Sequence, residues 1–240
     1  MGLSSYNLPD ASSFVYVKDL NSCQLDQESY HHLKNVLRIK DKEYAIISDG
    51  KGKWRLCESN LLKTEPNKSD LIPISEICSI NTEHHNISIG FSITKTSNSE
   101  LCVQKLTELG IKNIVPFISD RTTIKLNGQT EIKLHSRFLK IAKSAGEQSR
   151  NPYLPNISSI TTFKQIVSDL GTKVAIMDKQ GKSLTSELIA TKDILLIGPE
   201  GGFSQKELEK VKDKFTLGQT VLRSETATIA TAALVNYLIS

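Results

Sequence analysis

The chain has no Cys-x-x-Cys pair and little net charge for its size, and no apolar run approaches the ~18 residues of a membrane span. Each absence closes off a class. The four cysteines, Cys23, Cys57, Cys78 and Cys102, are widely scattered. That fits small buried hydrophobes in a reducing compartment better than a disulfide framework. The histidines His31, His32, His84, His85 and His135 form no His-x-x-x-His pair with a nearby acidic partner, so no metal site is expected. The opening MGLSSYNLPDASSF has no apolar h-region, so a signal peptide is not expected. Tyr6 stands where an N-myristoylation signal needs Ser or Thr. With neither leader, anchor nor span, the expected location is the cytoplasm, where Asn86-Ile87-Ser88 is a chance glycosylation match. Against 26 acidic residues stand 30 basic ones, and a net charge of +4 allows a nucleic-acid partner without arguing for one.

At 240 residues and 38% hydrophobic, the chain can bury one sizeable core or two small ones. It reads as two parts, 1–72 and 73–240, with no internal repeat. The first is β-rich: Phe14-Val15-Tyr16-Val17 and Tyr44-Ala45-Ile46-Ile47 are strand-like, and Asp49-Gly50 signals a hairpin returning through KWRL. Between them, ESYHHLKNVLR spaces Leu33, Val36 and Leu37 as one helical face. A small barrel with one helix fits, and the polar, Pro-containing KTEPNKSDLIP reads as a linker. In the second part, strands alternate with helices. Ile87, Ile89, Phe91 and Ile93 recur at period two, Ile114-Val115-Pro116-Phe117-Ile118 is a strand whose proline confines it to an edge or an end, and Val174–Met177 and Ile194–Ile197 are continuous apolar runs. Ser97 with Glu100 and Ser204 with Glu207 read as capping boxes. Leu134, Phe138, Ile141, Ala142 and Ala145 share a helix face. This is an α/β domain with a mostly parallel sheet.

Two loops stand out. The run DILLIGPEGGFSQKELEK stops at Gly198-Pro199-Glu200-Gly201-Gly202, at the carboxyl end of a buried strand, where open parallel sheets bind ligands. Glycines there admit close approach and positive φ. The loop lacks the Gly-Lys-Ser/Thr ending of a P-loop and does not match Gly-x-Gly-x-x-Gly, and Glu200 would repel a triphosphate. It suits a neutral or cationic ligand, the competing reading being a tight strand-to-helix turn with no ligand. The second segment, LGQTVLRSETATIATAALV, has a strand-like Thr220-Val221-Leu222, then Arg223-Ser224-Glu225-Thr226-Ala227 and a helix. Two such loops so close together are expected side by side in a doubly wound sheet.

IGPEGGFSQKELE and LGQTVLRSETATIATAAL closely resemble the two signature segments of the ribosomal RNA small-subunit methyltransferase E family. The resemblance continues in QKLTELGIKNIVPFISDRT, in AKSAGEQSRNPYLPNI and in HHLKNVLR with DGKG, in the same order along the chain, with Asp120, Thr122 and Gly146 as small departures. It implies a knotted, SPOUT-class α/β methyltransferase domain behind a PUA-like RNA-binding barrel, a homodimer, and S-adenosylmethionine as methyl donor to N3 of one uridine in 16S rRNA of the small ribosomal subunit. Carried over by motif, the cofactor lies against Gly198, Pro199, Glu200, Gly201 and Gly202, then Leu217 and Gly218, then Leu222, Arg223 and Thr226. Because the uracil N3–H must lose its proton, a base is needed. Glu147, Glu200 and Glu225 are the candidates, and the sequence does not choose among them. Arg121, Arg150 and Arg223 are candidates for phosphate or for the base edge, since Arg supplies a rigid donor fork. Arg150 is placed with the catalytic groups. His32, Lys34 and Arg38 either face RNA from the barrel or belong to a plain amphipathic helix. The alternatives are another enzyme of the same knotted class, acting on a tRNA base or a ribose 2′-oxygen, and a non-catalytic RNA-binding module.

Overall fold

A computed structural model describes residues 8–60, 71–80 and 87–239. The chain divides into two compact units, Met1–Glu83 with Lys143–Leu154, and His84–Ala142 with Pro155–Ser240.

In the N-terminal unit, β1 (Ser13–Tyr16) is followed by a short helix α1 (Gln27–His31), then by β2 (Tyr44–Ser48), β3 (Lys53–Ser59), β4 (Leu71–Pro73) and β5 (Cys78–Ser79). β1 lies parallel to β2, β2 antiparallel to β3, and β4 and β5 pair in turn along the other edge of β3. The hairpin expected at Asp49-Gly50 is present. The Asp49 carboxylate accepts from the amides of Lys51 and Lys53 at 2.7 and 3.1 Å, and Gly50 and Gly52 take φ of +69° and +94°. Val15, Ala45, Ile47, Cys57 and Leu71 form a core on one face with Leu20, Cys23, Leu33 and Ile39. Burial there pushes the Cys57 thiol up to about 12. The expected helical face does not form as spaced. α1 gives way to a π-helical turn over His32–Val36, which rotates successive side chains less per residue than an α-helix. Leu33 is fully buried, while Val36 and Leu37 are 59% and 47% exposed.

The linker stretch 61–70 lies outside the described residues. The boundary expected at 72/73 is not where the chain divides. β4 and β5 belong to the first sheet, and a distant segment, 143–154, joins the same unit. The reason is backbone hydrogen bonding: the Gly52 amide donates to Pro152 O (3.0 Å) and the Leu154 amide to Gly50 O (2.9 Å). The Tyr16 hydroxyl donates to Asn151 O at 2.5 Å.

The C-terminal unit begins with β6 (Ser88–Ser92), α2 (Thr96–Glu108) and β7 (Asn113–Ile118), followed by α3 (Gly128–Gln148), whose last residues group with the N-terminal unit. After β8 (Asn156–Ile157), β9 (Thr161–Thr162) and α4 (Phe163–Leu170) come β10 (Val174–Ser183), α5 (Ser186–Ile189), β11 (Ile194–Ile197), α6 (Gln205–Lys210), β12 (Asp213–Thr216) and α7 (Ser224–Ile239). The sheet is parallel, in the order β12-β10-β11-β6-β7-β8, with β9 also on β7. Its central strands are buried on both faces, as their continuous apolar runs require. Ala175, Leu195, Ile197, Ile89 and Phe91 face a core with residues of α2, α3 and α7. Val174, Ile176, Ile194 and Leu196 face the other side with Phe163, Ile166, Phe203 and Val211. Small residues in β6 serve close packing: a Cβ on Gly90 would lie 2.4 Å from Leu196 Cδ2.

Three local expectations are corrected. β7 is flanked on both sides, so Pro116 is not at a sheet edge. It is tolerated because the backbone groups of Ile114 and Pro116 face the outer side, and between the partners Ile157 and Thr161 that side offers no ladder contact to break. α2 starts at Thr96 with Lys95 as its N-cap, so Ser97 does not cap it; Ser99 Oγ accepts from the Thr94 amide instead (3.1 Å). Thr220–Leu222 is not a strand. β12 supplies that pairing at 213–216, after which Gly218, at φ +132°, turns the chain off the sheet.

Phe138 is fully buried, its ring edge-on to Phe91 with centroids 6.2 Å apart. Phe138→Ala is expected to destabilise the C-terminal unit by about 3–5 kcal/mol. Ile132→Ala on the same helix, where Ile132 is 72% exposed, is expected to stay within about 0.5 kcal/mol. Chemical denaturation of both variants checks the contrast, and equal effects would refute the assigned core face.

Candidate functional site

Parallel strands deliver their carboxyl-terminal loops to one edge of the sheet, and that edge carries a cavity of about 470 Å3 within the C-terminal unit. Gly198, Pro199, Glu200, Gly201 and Gly202 line it, together with Leu217, Gly218 and Leu222. The two loops singled out in the sequence therefore meet. They are joined directly where Ser224 Oγ, at the start of α7, donates to Gly198 O at 2.8 Å. Arg121, from the loop after β7, is also on the wall, and its guanidinium donates to Gly201 O at 2.6 Å.

The capping box on α6 is present in both directions. Ser204 Oγ accepts from the Glu207 amide at 3.2 Å, and the Ser204 amide donates to the Glu207 carboxylate at 2.8 Å. The same carboxylate, 3% exposed, reaches the loop after β7. It accepts from Ser119 Oγ at 3.1 Å and from the Asp120 amide at 3.0 Å. Asp120 returns the contact, accepting from Ser204 Oγ at 2.6 Å.

One wall was not legible in the sequence. β10 pairs with β12 up to Met177 and resumes at Lys182, both against Phe215, so the residues between bulge out of the ladder. Met177, Asp178, Lys179 and Gln180 thereby enter the cavity wall. Gly181 permits the bulge: a Cβ there would lie 2.5 Å from the Phe215 backbone.

Other candidates fall elsewhere. Arg223, Glu225 and Thr226 adjoin the site but are not on its lining; Arg223 and Thr226 are exposed, and Glu225 Oε2 is buried without a hydrogen-bond partner among the described residues. Glu147 and Arg150 belong to the N-terminal unit. There the Arg150 guanidinium donates to Ala11 O, and Glu147 accepts from the Tyr16 amide at 3.2 Å. His32 and Lys34 lie in the π-helical turn; Lys34 Nζ donates to the Tyr30 hydroxyl at 2.9 Å and lies 5.2 Å from that ring's centroid, while Arg38 is exposed at φ +54°. Among the described residues, no group of three His, Cys, Asp or Glu side chains is placed to hold a metal ion. No helix of the described residues is long and apolar enough to cross a membrane.

Burial raises the pKa of Glu147, and the Tyr16 amide and Lys143 only partly offset it. A raised carboxyl pKa means the folded state holds its proton to higher pH than the unfolded chain. Stability therefore falls as pH rises through the interval above the usual carboxylate value. Glu147→Gln, which keeps an acceptor for the Tyr16 amide, is expected to be more stable than the parent at pH 8. The advantage should vanish as pH falls below the ordinary glutamate range. Thermal melts across pH check this, and a pH-independent difference would contradict it.

A family model described as an RNA methyltransferase domain matches residues 81–236, and one described as an RNA methyltransferase PUA domain matches residues 25–58. The ribosomal RNA small subunit methyltransferase E of Mesomycoplasma hyopneumoniae is 28% identical over 223 residues, covering 90% of this chain and 94% of that protein. The protein of the same name from Bacillus subtilis is 27% identical over 237 residues, covering 92% of each. A crystal structure of the Neisseria gonorrhoeae ribosomal RNA small subunit methyltransferase E bound to S-adenosyl methionine aligns with a TM-score of 0.78 at 26% identity, covering 94% of this chain and 97% of that one. With the first family model spanning more than half of its length, the chain belongs to the RNA methyltransferase family.

Proposed function

We propose that this protein is an S-adenosylmethionine-dependent methyltransferase that modifies N3 of a uridine in the 16S rRNA of the small ribosomal subunit. The observation that carries this reading is the cavity lined by GPEGG, LG and Leu222 together, in a chain similar over nearly its whole length to small-subunit rRNA methyltransferases.

The residues present fit that cofactor. Gly202, at φ +68°, and Gly218 have nothing within 4 Å of where a Cβ would stand, leaving room for a ligand to approach the backbone. Leu217, Val221 and Leu222 supply apolar wall for an adenine. Glu200 and Asp178 suit a cationic sulfonium better than a polyphosphate. When bound, the cofactor supplies an activated methyl group. The chain's own work is positioning, which can supply ~7–11 kcal/mol, together with removal of the N3 proton. Of Glu147, Glu200 and Glu225, Glu200 lines the cavity, and it is the proton acceptor we favour, directly or through one water. Arg223 and Thr226, adjoining the site, are proposed to complete the cofactor pocket. Arg121, with Arg150, His32, Lys34 and Arg38 of the N-terminal unit, is proposed to hold the RNA. Arg150's bond to Ala11 O points to an indirect part, through the segment it anchors. The N-terminal unit is read as the PUA-like RNA-binding module, in line with its family match. The fold is proposed to carry the trefoil knot of SPOUT enzymes, a reading supported by the bond from Ser224 Oγ to Gly198 O that ties the segment after β12 to the loop after β11. The site of action is the cytoplasm, where ribosomal subunits are found.

Calorimetry is expected to show S-adenosylmethionine binding in the micromolar range, weakened at least about tenfold by Gly201→Val. A Cβ at Gly201 meets Arg121 no closer than 3.6 Å, so the fold tolerates the change while the added methyls crowd the cavity. Labelled cofactor is expected to methylate purified small subunits at one uridine N3, and Glu200→Gln to slow transfer by about 10²–10⁴-fold even at saturating cofactor. A label mapped to a ribose, or to tRNA, would favour the alternative knotted enzymes. Binding without transfer would favour a non-catalytic module.

The protein is also proposed to be a homodimer, supported by the apolar course of α7, on which Tyr237 is 79% exposed. Equilibrium sedimentation is expected to give twice the 26.6 kDa chain mass, and a stable monomer would refute it.

A further inference from the structure

We propose that Glu207 is a positioning residue, which clamps the loop after β7 to the loop after β11 and so sets the shape of both walls of the cavity. The proposal rests on the reading of that cavity as the cofactor site. A helix cap alone does not account for what this side chain does. Its two oxygens take three donors, one from its own capping box and two, Ser119 Oγ and the Asp120 amide, from a loop more than eighty residues away. At 3% exposure the carboxylate is removed from water, so each of those bonds is costly to break without replacement. The two loops are not sequence neighbours, nor are their strands sheet neighbours: β6 separates β11 from β7. Crossing that gap takes a side chain, and Glu207 crosses it.

The bridge is closed by reciprocal contacts. Asp120 accepts from Ser204 Oγ, and the next residue, Arg121, donates to Gly201 O. Ser119, Asp120 and Arg121 are therefore held to Glu207, Ser204 and Gly201 in register, like a short zipper. Arg121 and Gly201 both line the cavity, so a shift at the buried carboxylate displaces the arginine and the glycine together. The loop proposed to meet RNA and the loop proposed to hold the cofactor then share one anchor. Losing it weakens both binding steps, while the reacting groups, which Glu207 does not touch, keep their chemistry.

The test compares Glu207→Gln, Ser119→Ala and Glu209→Gln in the full chain. Gln keeps one carbonyl acceptor but presents an amide group to a donor on the other side. Ser119→Ala removes one bridging donor and leaves the α6 capping box intact, which covers the case in which Glu207→Gln fails to fold. Glu209 is exposed on the same helix and serves as the control. Hydrogen exchange without cofactor is expected to show faster exchange at 119–122 in Glu207→Gln and Ser119→Ala, and no change in Glu209→Gln. With cofactor and small subunits, the clamp variants are expected to raise the cofactor Kd and the KM for subunits by about tenfold for Glu207→Gln and a few-fold for Ser119→Ala. Their kcat at saturation should stay within about threefold of the parent. A merely structural lesion would do the reverse, lowering kcat in proportion to the folded fraction with both constants unchanged, and that result overturns the proposal. Unchanged exchange at 119–122 in both variants also overturns it. A parent protein that takes no cofactor would instead refute the functional reading, and the exchange comparison would still decide the clamp.

Discussion

Burial of β11 on both faces, between β10 and β6, is the constraint on which the rest of the C-terminal unit depends. A strand with no wet face cannot carry polar chemistry along its length, so every group that meets a ligand is delivered at its carboxyl end. There the apolar run Ile194–Ile197 gives way abruptly to Gly198-Pro199-Glu200-Gly201-Gly202. The same end gathers the bulge of β10, the turn after β12 and the loop after β7. Glycine is required where φ is positive or backbone meets backbone: Gly202 and Gly218 take φ of +68° and +132°, and a Cβ at Gly181 would lie 2.5 Å from the Phe215 backbone.

The N-terminal unit is organised by a different interaction. Residues 143–154, far along the chain, hydrogen-bond to the β2–β3 turn and to Tyr16. This changes the meaning of GEQSRNPY. Its charged residues attract a catalytic reading, yet Glu147 and Arg150 spend their hydrogen bonds on the backbone at Tyr16 and Ala11. Arg150 adopts φ +52°, an uncommon conformation for a residue with a side chain. Here the motif builds the module whose family match is to an RNA methyltransferase PUA domain.

Much of the site was legible because its signals are local. A strand ending in glycines, a Ser-x-x-Glu cap and a second charged loop before an apolar helix are all read within a few residues. What was missed depends on backbone geometry that the residue pattern does not announce. The wall made by Met177–Gln180 exists because β10 slips register against β12, and nothing in DKQG announces that pairing. Leu33, Val36 and Leu37 read as one helical face from α-helical spacing, and a π-helical turn leaves Leu33 buried with Val36 and Leu37 outward. Pro116 reads as the mark of an edge or an end, whereas a gap between two short outer strands makes room for it one strand in.

The amino-acid sequence by itself determined the alternation of strands and helices, the fully apolar character of the central strands and the place where the glycine-rich loop must stand. These follow from periodicity and from the conformational limits of glycine and proline, which act between near neighbours. Only the tertiary structure decided which loops share a wall, that the Glu207 carboxylate spans from α6 to Ser119 and Asp120, and that 143–154 belongs with the first unit. Those outcomes depend on strand order and register, set by packing and hydrogen bonding between residues far apart in the chain.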